Sequence, residues 1–178
     1  VAPVHRPPSI QKTTPDGKVE ILVTEADGVK FDGPNDLTFG PDGRLYFTDS
    51  GDWNQADKPH PGRIIVIERN GVARILEELD YVYPNGIVAE PDGSIVWVES
   101  YTLRVVRRKP DGTKTVIHTL AEGHIPDGLK IDVNGNLWIT TVASGGVDVL
   151  ARDGKHLHFL DVGGTLLNCC FGRSGKLF

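Results

Sequence analysis

Short apolar runs closed by glycine-bearing turns succeed one another along this chain, and no window keeps a helical period over a useful length. Asp-Gly and Asn-Gly pairs stand between the runs. Such pairs mark tight hairpins, because the turn needs positive φ. The runs that follow the first turn of each unit are Leu45-Tyr46-Phe47-Thr48, Ile95-Val96-Trp97-Val98 and Leu137-Trp138-Ile139-Thr140. A second hairpin follows at Asn70-Gly71, Asp111-Gly112 and Asp153-Gly154. Two hairpins per unit make four strands per unit, so the pattern predicts an all-β chain.

Set against itself, the sequence repeats. Pro34-Asn35-Asp36-Leu37, Pro84-Asn85-Gly86-Ile87 and Pro126-Asp127-Gly128-Leu129 each lead, nine residues after the Pro, to a turn Gly at 43, 93 and 135. A fourth copy, Leu167-Asn168-Cys169-Cys170-Phe171, leads to Gly175 and is one residue shorter. The starts lie 50, 42 and 41 residues apart, and an insertion of nine within Gly51 to Gly62 accounts for the long first interval. Four-stranded units at this period predict a β-propeller rather than a β-solenoid, whose coils are much shorter. The expected blades begin at about 34, 84 and 126, with a partial blade over 1–33 and another over 167–178. Three whole units and two partial ones cannot close a ring. The expectation is a portion of a longer gene product, with self-association through open blade edges as the second way to complete the ring.

In a propeller the first strand of each blade lines a central channel, so residues just before it gather at one mouth. The gathered set is Asn35, Asn85 and Asp127, with Asn168 in the fourth repeat. Converging amide and carboxylate oxygens suit a hard divalent cation such as Ca²⁺, and no Cys/His spacing resembles a zinc site. Pro-Asn and Pro-Asp are also ordinary turn chemistry, so spacing alone leaves a purely structural role open. His124, two residues before Pro126, is placed to reach the same mouth and is a further substrate-binding candidate. Asp49 and Glu99 end the second strands of their blades, where bonds to blade turns are the expected role. Trp97 and Trp138 hold equivalent strand positions and read as core between blades. The insertion carries Asp52, Trp53, Asp57 and His60, a candidate lid. His5, His118, His156 and His158 have no partner by spacing and read as surface residues.

Composition narrows the partners. The net charge of -5 argues against nucleic acid, and the cluster Arg104, Arg107, Arg108 and Lys109 reads as a solvated strand edge. No run approaches 18 apolar residues, so no membrane span is encoded. The two cysteines, Cys169 and Cys170, are adjacent and would point to opposite faces of a strand, which rules out a disulfide framework and suggests a reducing cytoplasm. No Gly-x-Ser-x-Gly elbow or phosphate loop is present.

Phe39-Gly40-Pro41-Asp42-Gly43-Arg44-Leu45-Tyr46-Phe47-Thr48-Asp49, preceded by Pro34-Asn35-Asp36, resembles the regucalcin/gluconolactonase family of six-bladed propellers. Tyr83-Pro84-Asn85-Gly86-Ile87, Pro126-Asp127-Gly128-Leu129 and Asn168-Cys169-Cys170-Phe171-Gly172 follow in that family's order and spacing. The resemblance implies a hydrolase opening sugar-type or other small lactones with one divalent metal, Ca²⁺ first, with Zn²⁺, Mn²⁺ and Mg²⁺ as the other candidates. By the same resemblance Asn85 and Asp127 match metal ligands, Asn35 a substrate-contacting position, and Asp127 also the general base. The family's remaining ligand is a Glu that would lie upstream of residue 1. A substrate-binding Arg found in some members has no counterpart, since Asp32-Gly33 precede Pro34. Two other classes fit the same fold: a phosphotriesterase-like hydrolase with the same ligands, and a non-catalytic propeller that binds a protein.

Overall fold

A computed structural model describes residues 7–51, 53 and 61–178. The chain opens with two small hairpins, β1 (Ile10–Thr13) with β2 (Val19–Val23) and β3 (Glu25–Ala26) with β4 (Val29–Lys30). Three antiparallel sheets of four strands follow in simple meander order. The first is β5 (Pro34–Phe39), β6 (Leu45–Asp49), β7 (Arg63–Ile67) and β8 (Ala73–Glu78). The second is β9 (Pro84–Ala89), β10 (Ile95–Glu99), β11 (Arg104–Arg108) and β12 (Lys114–Thr119). The third is β13 (Pro126–Ile131), β14 (Leu137–Thr141), β15 (Gly146–Leu150) and β16 (His156–Asp161). Beyond them Cys170 and Phe178 exchange backbone hydrogen bonds of 2.9 Å around the turn at Gly175. Among the described residues there is no helix, hence none long and apolar enough to cross a membrane.

The sheets are propeller blades, with β5, β9 and β13 innermost and β9 in contact with both neighbours. A blade is covered on both faces, which is why its middle strands are apolar without a break. On β10 the period of two splits the run between two cores. Ile95 and Trp97 join Tyr46, Ile64, Val66 and Ile87 against the first blade. Val96 and Val98 join Leu129, Leu137, Ile139 and Leu150 against the third. Trp97 is fully buried, as its position predicts, and Trp138 is half-buried, its ring edge-on to Phe171 at 5.5 Å.

Charged side chains bind the blades together at their outer strands. Two of the arginines expected on a solvated edge behave otherwise. Arg107 is paired bidentately with the fully buried Glu90 (2.6 and 3.0 Å), and Arg152 of the next blade reaches the same carboxylate at 3.0 Å. Arg108 and Lys114 both bind Glu77 of the first blade at 2.6 Å. The Arg152–Glu90, Arg108–Glu77 and Lys114–Glu77 pairs join different blades, and spacing within one repeat cannot reveal them. Two histidines expected to stand alone also have partners. His156 Nε2 lies 2.8 Å from the buried Asp148, and its ring stacks on His118 at 6.1 Å.

Candidate functional site

The first strand of every blade contains the same irregularity. Pro34 pairs with Asp49, but Leu37 pairs with Phe47, so Asn35 and Asp36 together oppose the single residue Thr48. Pro84 and Ile87 oppose Glu99 and Trp97, and Pro126 and Leu129 oppose Thr141 and Ile139, in the same way. This is a β-bulge, which bends the strand and re-aims the side chains at the extra residue. Each of Asn35, Asn85 and Asp127 sits on the bulge of its own blade.

Close packing of the inner strands fixes the residue that follows. A Cβ on Gly86 would collide with the backbone at Asp127, Gly128 and Leu129, and one on Gly128 would collide with Asn168. The first blade carries Asp36 at this place. Its carboxylate reaches across the channel to Lys130 Nζ (3.2 Å) and lies 3.4 Å from the Ile87 amide. Hydroxyls on the second strands complete the bulges. Thr48 Oγ1 accepts from the Asp36 amide (3.1 Å) and donates to the Asn85 carbonyl (2.9 Å). Thr140 Oγ1 accepts from the Gly128 amide (2.8 Å) and donates to the Leu167 carbonyl (3.0 Å). Ser50 and Ser100 likewise donate to the carbonyls of Pro84 and Pro126 in the next blade.

Four sequence-predicted residues meet at one cavity of about 500 Å³: Asn35, Asn85, Asp127 and Asn168, with Ser100 beside them. Its other walls are Trp53, Tyr83, Ile125, Pro126, Val142 and Leu167. Of these, sequence reasoning singled out only Trp53. The signal for Tyr83 and Ile125 was present, since both stand immediately before the repeat's Pro. Their carbonyls accept from the amides of Ser100 and Val142 at 3.0 Å, as Gly33 accepts from Ser50 in the first blade. His124 is not among the lining residues. Its Nδ1 lies 2.7 Å from Asp148 and its ring packs on Phe159. Asp49 accepts from the amides of Asp32 and Gly33 in the turn before β5 and pairs with Arg63 at 2.8 Å. Glu99 accepts from Trp97 Nε1 (3.3 Å) and Thr102 Oγ1 (2.7 Å). Asp52, Asp57 and His60, the rest of the candidate lid, lie outside the described residues, as does His5.

The electrostatics of the cavity centre on Asp127. Burial pushes its carboxyl up to about 6, the Asp36 carboxylate adds to the rise, and a hydrogen bond from Asn85 opposes it. Asn85 is buried, and its amide nitrogen donates to Ser100 Oγ at 3.2 Å. Its Oδ1 is buried with no hydrogen-bond partner. Buried acceptors are nearly always satisfied, so one left open beside a carboxylate points to a missing electrophile or donor. An amide oxygen and a carboxylate are ligands that a hard divalent cation accepts. No cluster of three or more His, Cys, Asp or Glu side chains suited to a metal occurs among the described residues. A cation here would therefore draw on Asn85 Oδ1 and Asp127, with Asn35 close by, and on one acidic group at most from this set.

Blades around an oxygen-lined channel mouth place the chain among the β-propellers that carry a site on their axis. It belongs to the SMP-30/gluconolactonase/LRE-like family, whose model matches residues 5–178. A gluconolactonase of Zymomonas mobilis is 30% identical over 182 aligned positions, which cover 88% of this chain and 49% of that protein. The structure of a Xanthomonas campestris gluconolactonase superposes with a TM-score of 0.81 at 24% identity, covering 96% of this chain and 61% of the other. A calcium-binding regucalcin from Agrobacterium tumefaciens superposes at 0.67 with 24% identity, covering 78% and 48%. The chain thus spans about half the length of the curated relative, and its fold is that of the propellers it overlays.

Proposed function

We propose that this chain supplies the general base and two cation ligands of a propeller lactonase that opens small lactones. One juxtaposition carries this reading: the buried, unpartnered Asn85 Oδ1 next to Asp127, whose carboxyl is pushed up to about 6. Membership in the gluconolactonase family supports the reaction class. When bound between Asn85 and Asp127, a divalent cation, Ca²⁺ by preference, supplies Lewis acidity toward the lactone carbonyl.

The chain's own residues do the rest. Asp127 accepts the proton of the water whose oxygen bonds to the carbonyl carbon. Collapse of the tetrahedral oxyanion breaks the ring C–O bond, and the proton passes to the departing alkoxide, leaving a hydroxy acid. Burial favours the protonated form of Asp127 and a bound cation would favour the carboxylate, which keeps the group ionised at neutral pH. The Asn85 amide holds the carboxylate in place, and Asn35 faces the same cavity as a substrate contact.

Acid release from δ-valerolactone, followed by pH-stat on the whole gene product with and without chelator, tests this. The expected result is chelator-sensitive hydrolysis that falls about 10²-fold or more in Asp127→Asn. Turnover unchanged in that variant would remove the base from the mechanism. Hydrolysis of an organophosphate triester with no lactone turnover would assign the same ligands to a phosphotriesterase.

A further inference from the structure

The walls of the cavity are unequal. On one side lie the polar groups: Asn35, Asp127 and the open Asn85 Oδ1, beside three that are already engaged, Asn85 Nδ2 with Ser100, the Ser100 hydroxyl with the Pro126 carbonyl, and Asn168 Oδ1 with the Cys169 amide at 2.9 Å. On the other, Trp53, Tyr83, Ile125, Val142 and Leu167 form an apolar wall, and among the described residues no Lys, Arg or His lines the cavity.

The aromatic part of this wall is built rigidly. Trp53 stands edge-on to Tyr83 with centroids 4.8 Å apart, and both rings pack on Tyr101 at 4.9 and 5.4 Å. The Tyr101 hydroxyl donates to the Trp53 carbonyl at 2.9 Å. Tyr83 is held at φ 51°, a left-handed conformation that a bulky residue rarely adopts. Its carbonyl is pinned by the Ser100 amide, and the preceding Val82 carbonyl by the Tyr101 amide at 3.1 Å. Backbone held in such a conformation by its surroundings is a mark of functional positions. Trp53 remains 43% exposed, so part of this aromatic surface is open to solvent.

We propose that the cavity selects lactones whose ring carries an apolar or aromatic substituent over polyhydroxylated sugar lactones, with Trp53 and Tyr83 reading the substituent. The inference rests on the lactonase reading and narrows its substrate class. A sugar lactone would bring several hydroxyls to a wall of which Ile125, Val142 and Leu167 offer no side-chain partner, and each unpaired polar group weakens binding. An aryl-fused or alkyl-bearing ring would instead cover the aromatic face, where edge-on and offset contacts add to burial.

Hydrolysis-resistant lactams separate this selectivity from catalysis. Calorimetry on the whole gene product, with 3,4-dihydroquinolin-2-one and gluconolactam as probes, measures it directly. The aryl-fused lactam is expected to bind about tenfold tighter or more. Trp53→Ala should erase that preference and Trp53→Phe keep most of it. Tyr83→Asn, which tolerates the left-handed backbone, should weaken the aryl lactam and leave gluconolactam unchanged. Tighter binding of gluconolactam, or equal weakening of both probes in Trp53→Ala, overturns the proposal. Aryl-lactam selectivity without turnover of any lactone would sustain the selectivity and sink the lactonase reading, so the two fail separately.

Discussion

Asn85 and Asp127 are next to each other only because two blades meet on an axis, and their environment gives each an unusual state. Burial pushes the carboxyl of Asp127 up to about 6 from its ordinary 3.8. Between those values the unfolded chain releases the proton while the folded one keeps it. Stability therefore falls as pH rises through that window, and the loss persists above it. Asp127→Asn removes the ionisable group. With chelator present, its Tm above pH 6 is expected to exceed that of the unaltered protein by about 2–4 °C, a gap that closes below about pH 4. Added Ca²⁺ should reverse the order by stabilising only the carboxylate form. Thermal melts at three pH values decide it, and a variant less stable than the parent under chelator at pH 7 would contradict the argument. The Asx residues themselves were legible from the repeat. The orphaned Oδ1 was not, because hydrogen-bond satisfaction depends on neighbours brought from other blades.

At the level of the strand, the bulge is the device that turns a repeat into a site. Without the extra residue, Asn85 would keep the plain alternation of its strand and the ring of Asx side chains would lose its common aim. Gly86 lets β9 approach β13 closely, and the atoms a methyl group would meet are backbone, which cannot swing aside. Gly86→Ala is expected to destabilise the fold by about 1–3 kcal/mol, read as a lower urea midpoint at unchanged m-value. A neutral result would mean that the inner strands separate more easily than their packing indicates. Thr140 offers a second test. Thr140→Val keeps the shape but removes the hydroxyl that bridges the Gly128 amide and the Leu167 carbonyl, which still pair directly, at a cost of about 0.5–1.5 kcal/mol. The hairpin turns announced themselves through Asp-Gly and Asn-Gly pairs. The bulges did not, although Thr48 and Thr140 recur five residues after their turn glycines.

Across the whole molecule, stability comes from the seams between blades. Two of the three cores are shared by consecutive four-stranded sheets, and Glu90 sits beneath one seam with two guanidiniums on it. Glu90→Ala leaves the part-buried Arg107 with only the Arg152 carbonyl as acceptor and is expected to cost about 1–3 kcal/mol. Glu90→Met, which fills the space without an acceptor, should cost nearly as much, because Arg107 remains. Chemical denaturation of both variants checks this, and a loss under 1 kcal/mol in each would show that water reaches Arg107.

The sequence by itself determined the blade. Strand runs, positive-φ turns and the recurring Pro-Asx dipeptide are local features, written within a few residues of one another, and they were sufficient to indicate the propeller and its family. Tertiary structure decided what lies between blades. It turned Arg107 and Arg108 from an expected solvated edge into part-buried clamps, joined His124 and His156 through Asp148, and packed Tyr83, Trp53 and Tyr101 together beside one cavity. The Arg108–Glu77 pair joins two blades and Trp53 comes from the insertion, while Arg107–Glu90 and His156–Asp148 join strands within one blade. A period read along the chain carries no information about which side chains meet across a seam; close packing of neighbouring blades does.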